Sequence, residues 1–308
     1  MPMLEREEST QALVGIALGG GGLTGVIHIG ILDVFHRHRV PIDVIAGSSI
    51  GGLIAGLYSV GHDPRELERL ALNFKEGKYF DLSIEFNRII RILISLLLSK
   101  LGATSKRMPR GLISGNDIEE FLVEETEGKF FNQTEIPVAI TATDVETGEL
   151  IVFVNERLVP ALQNLKDYIF VTDKQVAKAI RATISIPGLF EPCEINERLL
   201  VDGGVKDNVP ADILDELGVD IKIAIDLGFS LQDDNSIMNP IDMVLQSFDI
   251  MGQEISNLKT ESYADLVIKP QVSHISLTDT DKIPYLLKKG REIGYQLVPE
   301  VKRLIRGG

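Results

Sequence analysis

The amino-acid sequence predicts an α/β fold of three layers (α/β/α), in which helices cover both sides of a mostly parallel central sheet. Within the first 60 residues, a buried strand, a tight turn and an apolar helix follow one another twice. This alternation is typical of parallel strands joined by helical crossovers. The 308-residue chain shows no internal repeat, low-complexity linker or change of composition. We therefore expect one domain over residues 12–300, with short tails at 1–11 and 301–308.

Each element is predicted from the local pattern of apolar residues. The first strand is "ALVGIAL" at 12–18, and the second is "PIDVIAG" at 41–47. Apolar residues at helical spacing predict helices after them, at 25–38 and 49–60. Further strands are predicted at 136–145, 150–154, 198–204, 220–228 and 264–270, and further helices at 116–127, 173–183, 210–217, 239–260 and 282–306.

Composition narrows the class of protein. The formal net charge is -14, which disfavours nucleic acid as a partner because such binders need a basic surface. The single cysteine, Cys193, excludes an intramolecular disulfide and suits a reducing compartment. The longest apolar run, 89–98, is interrupted by Arg91 and is too short to span a bilayer. We expect a soluble protein, located in the cytoplasm.

Residues 84–113 differ from the rest of the chain in charge, with six basic residues against the single acid Glu85. Inside this segment, "RIIRILISLLLSKLG" at 88–102 predicts a helix with a narrow polar stripe and a broad apolar face. One interpretation is a helix of the core or of a dimer interface. The other is a lid or lipid-facing helix that contacts lipid through its apolar face and basic flanks.

A candidate nucleophile follows the second predicted strand. Gly47-Ser48-Ser49-Ile50-Gly51 matches the G-x-S-x-G pattern and makes Ser49 the central serine. In this motif a sharp strand-to-helix turn exposes the serine hydroxyl beside a helix N-terminus, and the glycines remove side chains that would collide there. The alternative is an ordinary N-cap serine in a glycine-rich turn.

The glycine run after the first strand has two interpretations. Gly20, Gly22 and Gly25 satisfy G-x-G-x-x-G, a pattern of dinucleotide-binding folds. Such folds place an acidic residue at the end of the next strand, where this chain has "AGSS". We favour the second interpretation, in which Gly20, Gly21 and Gly22 present backbone N–H groups to a developing oxyanion.

Two residues are candidates to accept the proton of the serine. His274 is the one histidine late enough in the chain to complete a Ser–Asp–His order, although "QVSHISLTD" also suits a plain polar loop. Asp202 ends the predicted strand "RLLVDGG", and Gly203 and Gly204 after it permit close approach of a partner. An aspartate is a weak base, and partial burial would raise its pKa and strengthen it.

Taken in order, these motifs resemble the patatin-like phospholipases, especially the bacterial members. The resemblance extends over roughly residues 12–300 and is weakest across 78–112. The segments that carry it are "LALGGGGLTGVIHIGILDVF", "GSSIGG", "ATDVETGELIVF", "IRATISIPGLFEP" and "LVDGGVKDNVP".

The resemblance implies hydrolysis of acyl esters of phospholipids or lysophospholipids through an acyl-serine intermediate. It assigns Ser49 as nucleophile and Asp202 as general base in a dyad without histidine, and it implies no metal or organic cofactor. The oxyanion donors would be N–H groups of Gly20, Gly21 and Gly22, with Gly25, Gly47, Gly51, Gly203 and Gly204 as supporting motif glycines. The resemblance also implies that 84–113 is a variable lid or cap segment, which makes it a candidate for peripheral membrane contact. It leaves the oligomeric state open.

One position departs from the family pattern. Bacterial relatives usually carry arginine two residues after the fourth glycine, and this chain has Thr24. We expect an altered substrate preference, and three rival interpretations stay open. They are a Ser49–Asp202–His274 esterase or thioesterase, a nucleotide-binding protein, and a lipid-binding relative that has lost catalysis.

Overall fold

The computed structural model describes residues 12–75, 110–228, 240–272, 275 and 279–307. Its strands are β1 Val14–Leu18, β2 Val44–Gly47, β3 Gly111–Ile113, β4 Val138–Asp144, β5 Leu150–Val154, β6 Tyr168–Val171, β7 Gly188–Phe190, β8 Cys193–Ile195, β9 Arg198–Asp202, β10 Ile221–Ile225 and β11 Leu266–Ile268. Its α-helices are α1 Val26–Arg37, α2 Ile50–Ser59, α3 Pro64–Lys75, α4 Asn116–Glu125, α5 Val176–Thr183, α6 Ala211–Glu216, α7 Pro240–Tyr263 and α8 Ile283–Gly307.

Within these described ranges, nine strands form the central sheet, with the main order β11–β10–β1–β2–β4–β5–β6. Neighbouring strands from β11 to β4 are parallel, whereas β4 pairs with β5 in the antiparallel sense. The predicted α/β fold with a mostly parallel sheet is therefore confirmed. Because the strands from β11 to β4 are parallel, the loops that follow β1, β2 and β10 all leave from the same edge of the sheet.

Strand β4 brings the ends of two distant strands together. Along one edge of β4, β2 pairs in parallel until Gly47 lies opposite Ile140. Antiparallel β9 takes over beyond that point, with Asp202 opposite Ala142. Strand β5 occupies the other edge of β4. The turn after β2 and the end of β9 therefore meet, although 153 residues separate Ser49 from Asp202.

The two faces of the sheet carry side chains of different size. Ile16, Leu18 and Ile45 belong to the larger apolar core, which includes residues of α1, α2, α5 and α8. The alternate residues Ala17 and Ala46 belong to a second core, which α6 covers. Since successive side chains of a strand point to opposite faces, these two cores define the outer layers of the fold.

Every strand and helix predicted within the described ranges has a counterpart in the structure, the helix predicted at 88–102 lies outside them, and several elements were not predicted. These are helix α3 and the short strands β3, β6, β7 and β8. The predicted tail at 301–308 is wrong, because α8 continues to Gly307 and Val301 is fully buried. Of the segment 84–113, residues 84–109 lie outside the described residues, as does the predicted tail 1–11, and 111–113 form β3 beside β7. In the described ranges, no helix is long and apolar enough to cross a membrane.

Candidate active site

Ser49 lies in a sharp turn between β2 and α2. Its backbone has φ 55° and ψ −130°, in a region that a residue with a side chain rarely adopts. A Cβ on Gly51 would collide with the carbonyl of Leu18, and one on Gly47 would collide with the backbone of Gly51. Glycine is therefore required at both flanking positions, as the G-x-S-x-G interpretation predicts.

The side chain of Ser49 contacts Asp202 directly. Its Oγ donates a hydrogen bond to Asp202 Oδ2 at 2.6 Å, and both residues are buried, at 9% and 6% exposure. Although Ser49 occupies the N-cap position of α2, its side chain makes no capping hydrogen bond. The hydroxyl is thus oriented toward a carboxylate, which the alternative N-cap interpretation does not explain.

Backbone and hydroxyl groups fix the orientation of both members of this pair. Asp202 Oδ1 accepts from the N–H of Gly204 at 2.8 Å, and the N–H of Asp202 donates to the carbonyl of Ser185 at 3.0 Å. The N–H of Ser49 donates to Thr183 Oγ1 at 2.8 Å. Helix α5 and the residues after it therefore hold nucleophile and carboxylate from one side.

Gly203 allows the loop of Asp202 to approach β4. A Cβ at this position would lie 2.5 Å from the carbonyl oxygen of Thr141 and 2.7 Å from Ser48 Oγ. Ser48 is fully buried and packs behind this loop. This position agrees with the interpretation that Ser49, rather than Ser48, is the candidate nucleophile.

The glycine loop begins beside the carboxylate loop. The N–H of Gly20 donates to Asn208, at 3.0 Å from its Oδ1 and 3.3 Å from its carbonyl oxygen. No acceptor in the described part of the chain receives the N–H groups of Gly21 and Gly22. Of the three predicted oxyanion donors, Gly21 and Gly22 therefore have N–H groups available in this conformation, whereas Gly20 is engaged.

Thr24 stabilises the glycine loop locally. Its Oγ1 donates to the carbonyl of Gly21 at 2.7 Å, and the residue is 5% exposed. Gly25 ends the turn of 3₁₀ helix from Gly22 to Gly25 and lies so close to α2 that a Cβ on it would collide with Ile50. The hydroxyl of Thr24 thus closes the turn at the position where the family pattern has arginine.

The structure describes His28, and it does not describe His274. His28 is buried under the glycine loop with Nε2 2.8 Å from the carbonyl of Gly19, and burial lowers its pKa to about 4. It is neutral at pH 7 and donates to that carbonyl. His274 lies outside the described residues, so the triad stays a prediction. The direct contact between Ser49 and Asp202 leaves no imidazole between these two side chains.

An apolar cavity of about 230 Å³ opens beside Ser49. Gly22 and Ser49 form one part of its wall, and aliphatic and aromatic residues form the rest. The latter include Leu53 and Leu57 of α2, Leu70 of α3, Phe121 of α4, and Leu189 and Phe190 of β7. The described residues that line the cavity include no charged side chain, so this wall suits a hydrocarbon chain rather than a polar head group.

Several of these residues were not identified from the sequence. Thr183 and Ser185 lie in "IRATISIPGLFEP" and Asn208 in "LVDGGVKDNVP", two segments that carried the resemblance without a role for these residues. For Asn208 the signal in the sequence was proximity to a motif, since it follows Asp202 by six residues. Thr183 offered no comparable signal, because its partner Ser49 is 134 residues away.

Comparison with known proteins gives three further findings. The family model for patatin-like phospholipases matches residues 16–215. Lysophospholipase NTE1 of Candida albicans is 28% identical over 230 residues, which cover 73% of this chain and 14% of that protein. An NTE family protein of Mycobacterium tuberculosis is 27% identical over 222 residues, which cover 72% of this chain and 51% of that protein.

Among solved structures, VipD from Legionella pneumophila matches with a TM-score of 0.50 and 13% identity, covering 97% of this chain and 67% of that one. This likeness concerns the fold alone. The aligned part of the chain amounts to about one seventh of the length of the fungal relative.

Proposed function

The chain belongs to the patatin-like phospholipase family, and from that premise we propose that it hydrolyses acyl ester bonds of phospholipids or lysophospholipids. Ser49 is the proposed nucleophile and Asp202 the proposed general base. The observation that carries the proposal is the 2.6 Å hydrogen bond from Ser49 Oγ to Asp202 Oδ2 at the wall of an apolar cavity. This contact supports activation of the Ser49 hydroxyl beside a space that can bind a hydrocarbon chain.

In the first half of the reaction, Asp202 Oδ2 takes the proton of Ser49 Oγ as this oxygen attacks the ester carbonyl. The carbonyl oxygen becomes an oxyanion, which accepts hydrogen bonds from the N–H groups of Gly21 and Gly22. Collapse of the tetrahedral intermediate breaks the ester C–O bond. The leaving alcohol takes the proton from Asp202, and the acyl group stays on Ser49.

In the second half, a water molecule takes the place of the alcohol. Asp202 accepts a proton from this water as its oxygen attacks the acyl-serine carbonyl. The bond to Ser49 Oγ then breaks, the serine regains its proton, and a fatty acid leaves. The hydrogen bond from the Gly204 N–H to Asp202 Oδ1 supports this role, because it leaves Oδ2 to face the serine in both halves.

The cavity supports a location for the acyl chain on one side of the site. Among the described residues its lining is uncharged, and each methylene that moves into it from water contributes about 0.8 kcal/mol. The head group then lies on the open side of the glycine loop, where Gly21 is exposed. The names of the fungal relatives support a lysophospholipid as one substrate to test.

Lipid contact through 84–113 remains part of the proposal. Residues of the helices before and after this segment line the cavity: Leu70 and Ala71 of α3 precede it, and Phe121 of α4 follows it. Removing residues 84–101 should spare hydrolysis of a short soluble ester and abolish hydrolysis in vesicles. Equal loss on both substrates would contradict this role.

The function is tested by fatty acid release from lysophosphatidylcholine micelles and from phosphatidylcholine vesicles. We expect release by the wild-type protein and background release by Ser49→Ala, with an unchanged Tm for the variant. A folded wild-type protein that binds these lipids without releasing fatty acid would contradict the proposal and favour a lipid-binding role. Equal release by wild type and Ser49→Ala would also contradict it.

A further inference from the structure

A buried ionic cluster lies on the face of the sheet opposite the cavity. Lys259 Nζ of α7 is 2.7 Å from Asp207 Oδ2, 2.7 Å from Asp212 Oδ2 and 2.7 Å from Tyr168 Oη. The hydroxyl of Tyr168 also donates to Asp212. Asp207 and Asp212 are buried, at 1% and 4% exposure. The cluster joins α7, α6, β6 and the loop after β9.

Asp207 connects this cluster to the loop of the proposed general base. Its N–H donates at 2.8 Å to the carbonyl of Gly203, which is the residue directly after Asp202. The next residue, Asn208, accepts the N–H of Gly20 through both its side chain and its carbonyl. The loop from Asp202 to Asn208 therefore has the proposed base at one end and the attachment of the glycine loop at the other.

Stability alone is a weak explanation for such a cluster. Removing charges from water costs several kcal/mol per ion, and apolar residues of similar volume often serve a core equally well. Burial and the neighbouring carboxylate of Asp212 raise the pKa of Asp207 to about 6, and the ammonium of Lys259 opposes this rise. What an ion pair adds over an apolar contact is a fixed geometry.

We propose that Asp207, held by Lys259, is a positioning residue that fixes the Asp202–Asn208 loop and, through Asn208, the glycine loop relative to Ser49. The inference rests on the proposed function and adds a contact on the far face of the sheet to it. A misplacement of about 1 Å in reacting groups can cost up to roughly 100-fold in rate, so a loop that carries the base needs such an anchor.

The chain offers a matched control in Asp212. Both aspartates accept a hydrogen bond from Lys259 at the same distance, and both are buried. Asp212 belongs to α6, where its Oδ1 accepts from the N–H of Ile213, and it lies outside the loop of Asp202. Replacing either aspartate removes one negative charge from the same cluster, and only Asp207 lies in the loop of Asp202.

The experiment compares Asp207→Asn with Asp212→Asn in hydrolysis of p-nitrophenyl butyrate. We expect Asp207→Asn to lower kcat by roughly 10-fold or more with KM within about twofold of wild type, because a displaced base slows the chemical step. Asp212→Asn should lower Tm by a similar amount and keep kcat within about twofold. Equal losses of kcat in both variants, or none in either, would overturn the proposal.

Hydrogen exchange of peptides that contain 19–25 and 202–208 gives a readout that needs no activity. Exchange should be faster in Asp207→Asn than in wild type, and close to wild type in Asp212→Asn. An inactive wild-type protein would count against the proposed function, and the exchange comparison would still decide whether Asp207 holds the two loops. Unchanged exchange in Asp207→Asn would overturn the positioning role.

Discussion

The two faces of the central sheet differ in side-chain size and in charge. One face carries large aliphatic residues and the apolar cavity of about 230 Å³ beside Ser49. The other face carries alanines, helix α6 and the ionic cluster around Lys259. Ser49 and Asp202 contact each other where β2 and β9 end on the same edge of β4. Our proposal therefore assigns contact with the acyl chain and positioning of the proposed base to different layers of the fold.

The largest expected effect on kcat comes from the contact between Ser49 and Asp202. Asp202→Asn should lower kcat by roughly 10³-fold, because the amide cannot take the serine proton. The measurement is release of p-nitrophenol from a p-nitrophenyl ester, at a pH where both proteins are folded.

Asp226 is the matched control for this substitution. It follows β10, is buried, and accepts from the N–H of Gly228 at 3.0 Å, as Asp202 accepts from Gly204. Its other oxygen accepts from Gln253 rather than from a serine. Asp226→Asn should therefore keep kcat within a few-fold of wild type. Equal loss in both variants would mean that Asp202 has no special role.

The second prediction concerns the pH dependence of stability contributed by two buried groups, one on each face of the sheet. His28, under the glycine loop, has its pKa lowered from 6.5 to about 4 by burial, so the unfolded chain binds more protons between these values. The free energy of unfolding that His28 contributes therefore falls by about 3 kcal/mol as pH falls from about 6.5 to 4. His28→Gln should remove that loss, as measured by urea unfolding from pH 7 to pH 4.

Asp207, on the other face, should act with the opposite sign. Its pKa is raised from 3.8 to about 6, so the folded protein binds more protons than the unfolded chain between these values. This group stabilises the fold increasingly as pH falls from about 6 to 4, and Asp207→Asn should remove that gain. Difference curves of the same sign for both variants would contradict the assigned environments.

The third prediction concerns only the apolar cavity beside Ser49. Leu53 is half-buried at the cavity wall, one turn after Ser49, and Leu53→Trp would fill space that an acyl chain needs. Excluding about three methylenes would cost about 2.4 kcal/mol, or roughly 50-fold in kcat/KM for a long-chain lysophospholipid. Hydrolysis of p-nitrophenyl acetate should change little, since its acyl group does not reach the cavity.

Leu258→Trp on α7 is the control for this variant, because Leu258 is 70% exposed and does not line the cavity. It should leave both substrates within about twofold of wild type. If Leu53→Trp slowed both esters alike, the cavity would not be an acyl site.

The smallest effect is expected within the glycine loop. Thr24→Val keeps the shape of the side chain and removes the hydrogen bond from Oγ1 to the carbonyl of Gly21, worth about 1 kcal/mol. We expect kcat to fall roughly 5-fold, because the proposed oxyanion donors Gly21 and Gly22 would be held less firmly. Ser59→Ala removes a similar hydrogen bond, to the carbonyl of Gly56 at the end of α2, and should cost stability without a fall in kcat.

Much of the fold could be predicted because the signals are local. The run "ALVGIAL" and the alternation of strands and helices mark the sheet, and G-x-S-x-G with "VDGG" marks Ser49 and Asp202. Helix α3 also had a readable signal, although it was not predicted. Pro64 begins it, Asp63 Oδ1 accepts from the N–H of Glu66, and Glu66 Oε2 accepts from the N–H of Asp63, which together form a capping box.

The rest depends on contacts between distant polar residues that no local pattern marks. Thr183 and Asn208 hold Ser49 and Gly20 across 134 and 188 residues. Lys259 reaches Asp207 over 52 residues from a helix whose sequence shows only an amphipathic pattern. An isolated lysine in a helix is usually a solvated surface residue, so the partial burial of Lys259 follows from packing rather than from sequence pattern.

The most direct test of the central claim is to trap the acyl-enzyme intermediate. The protein is mixed with p-nitrophenyl butyrate, quenched with acid and analysed by peptide mass spectrometry. We predict a butyryl group on the peptide that contains Ser49, in wild type and in His274→Ala, and none in Ser49→Ala. A butyryl group on another residue, or its loss in a folded His274→Ala variant, would contradict a Ser49–Asp202 dyad.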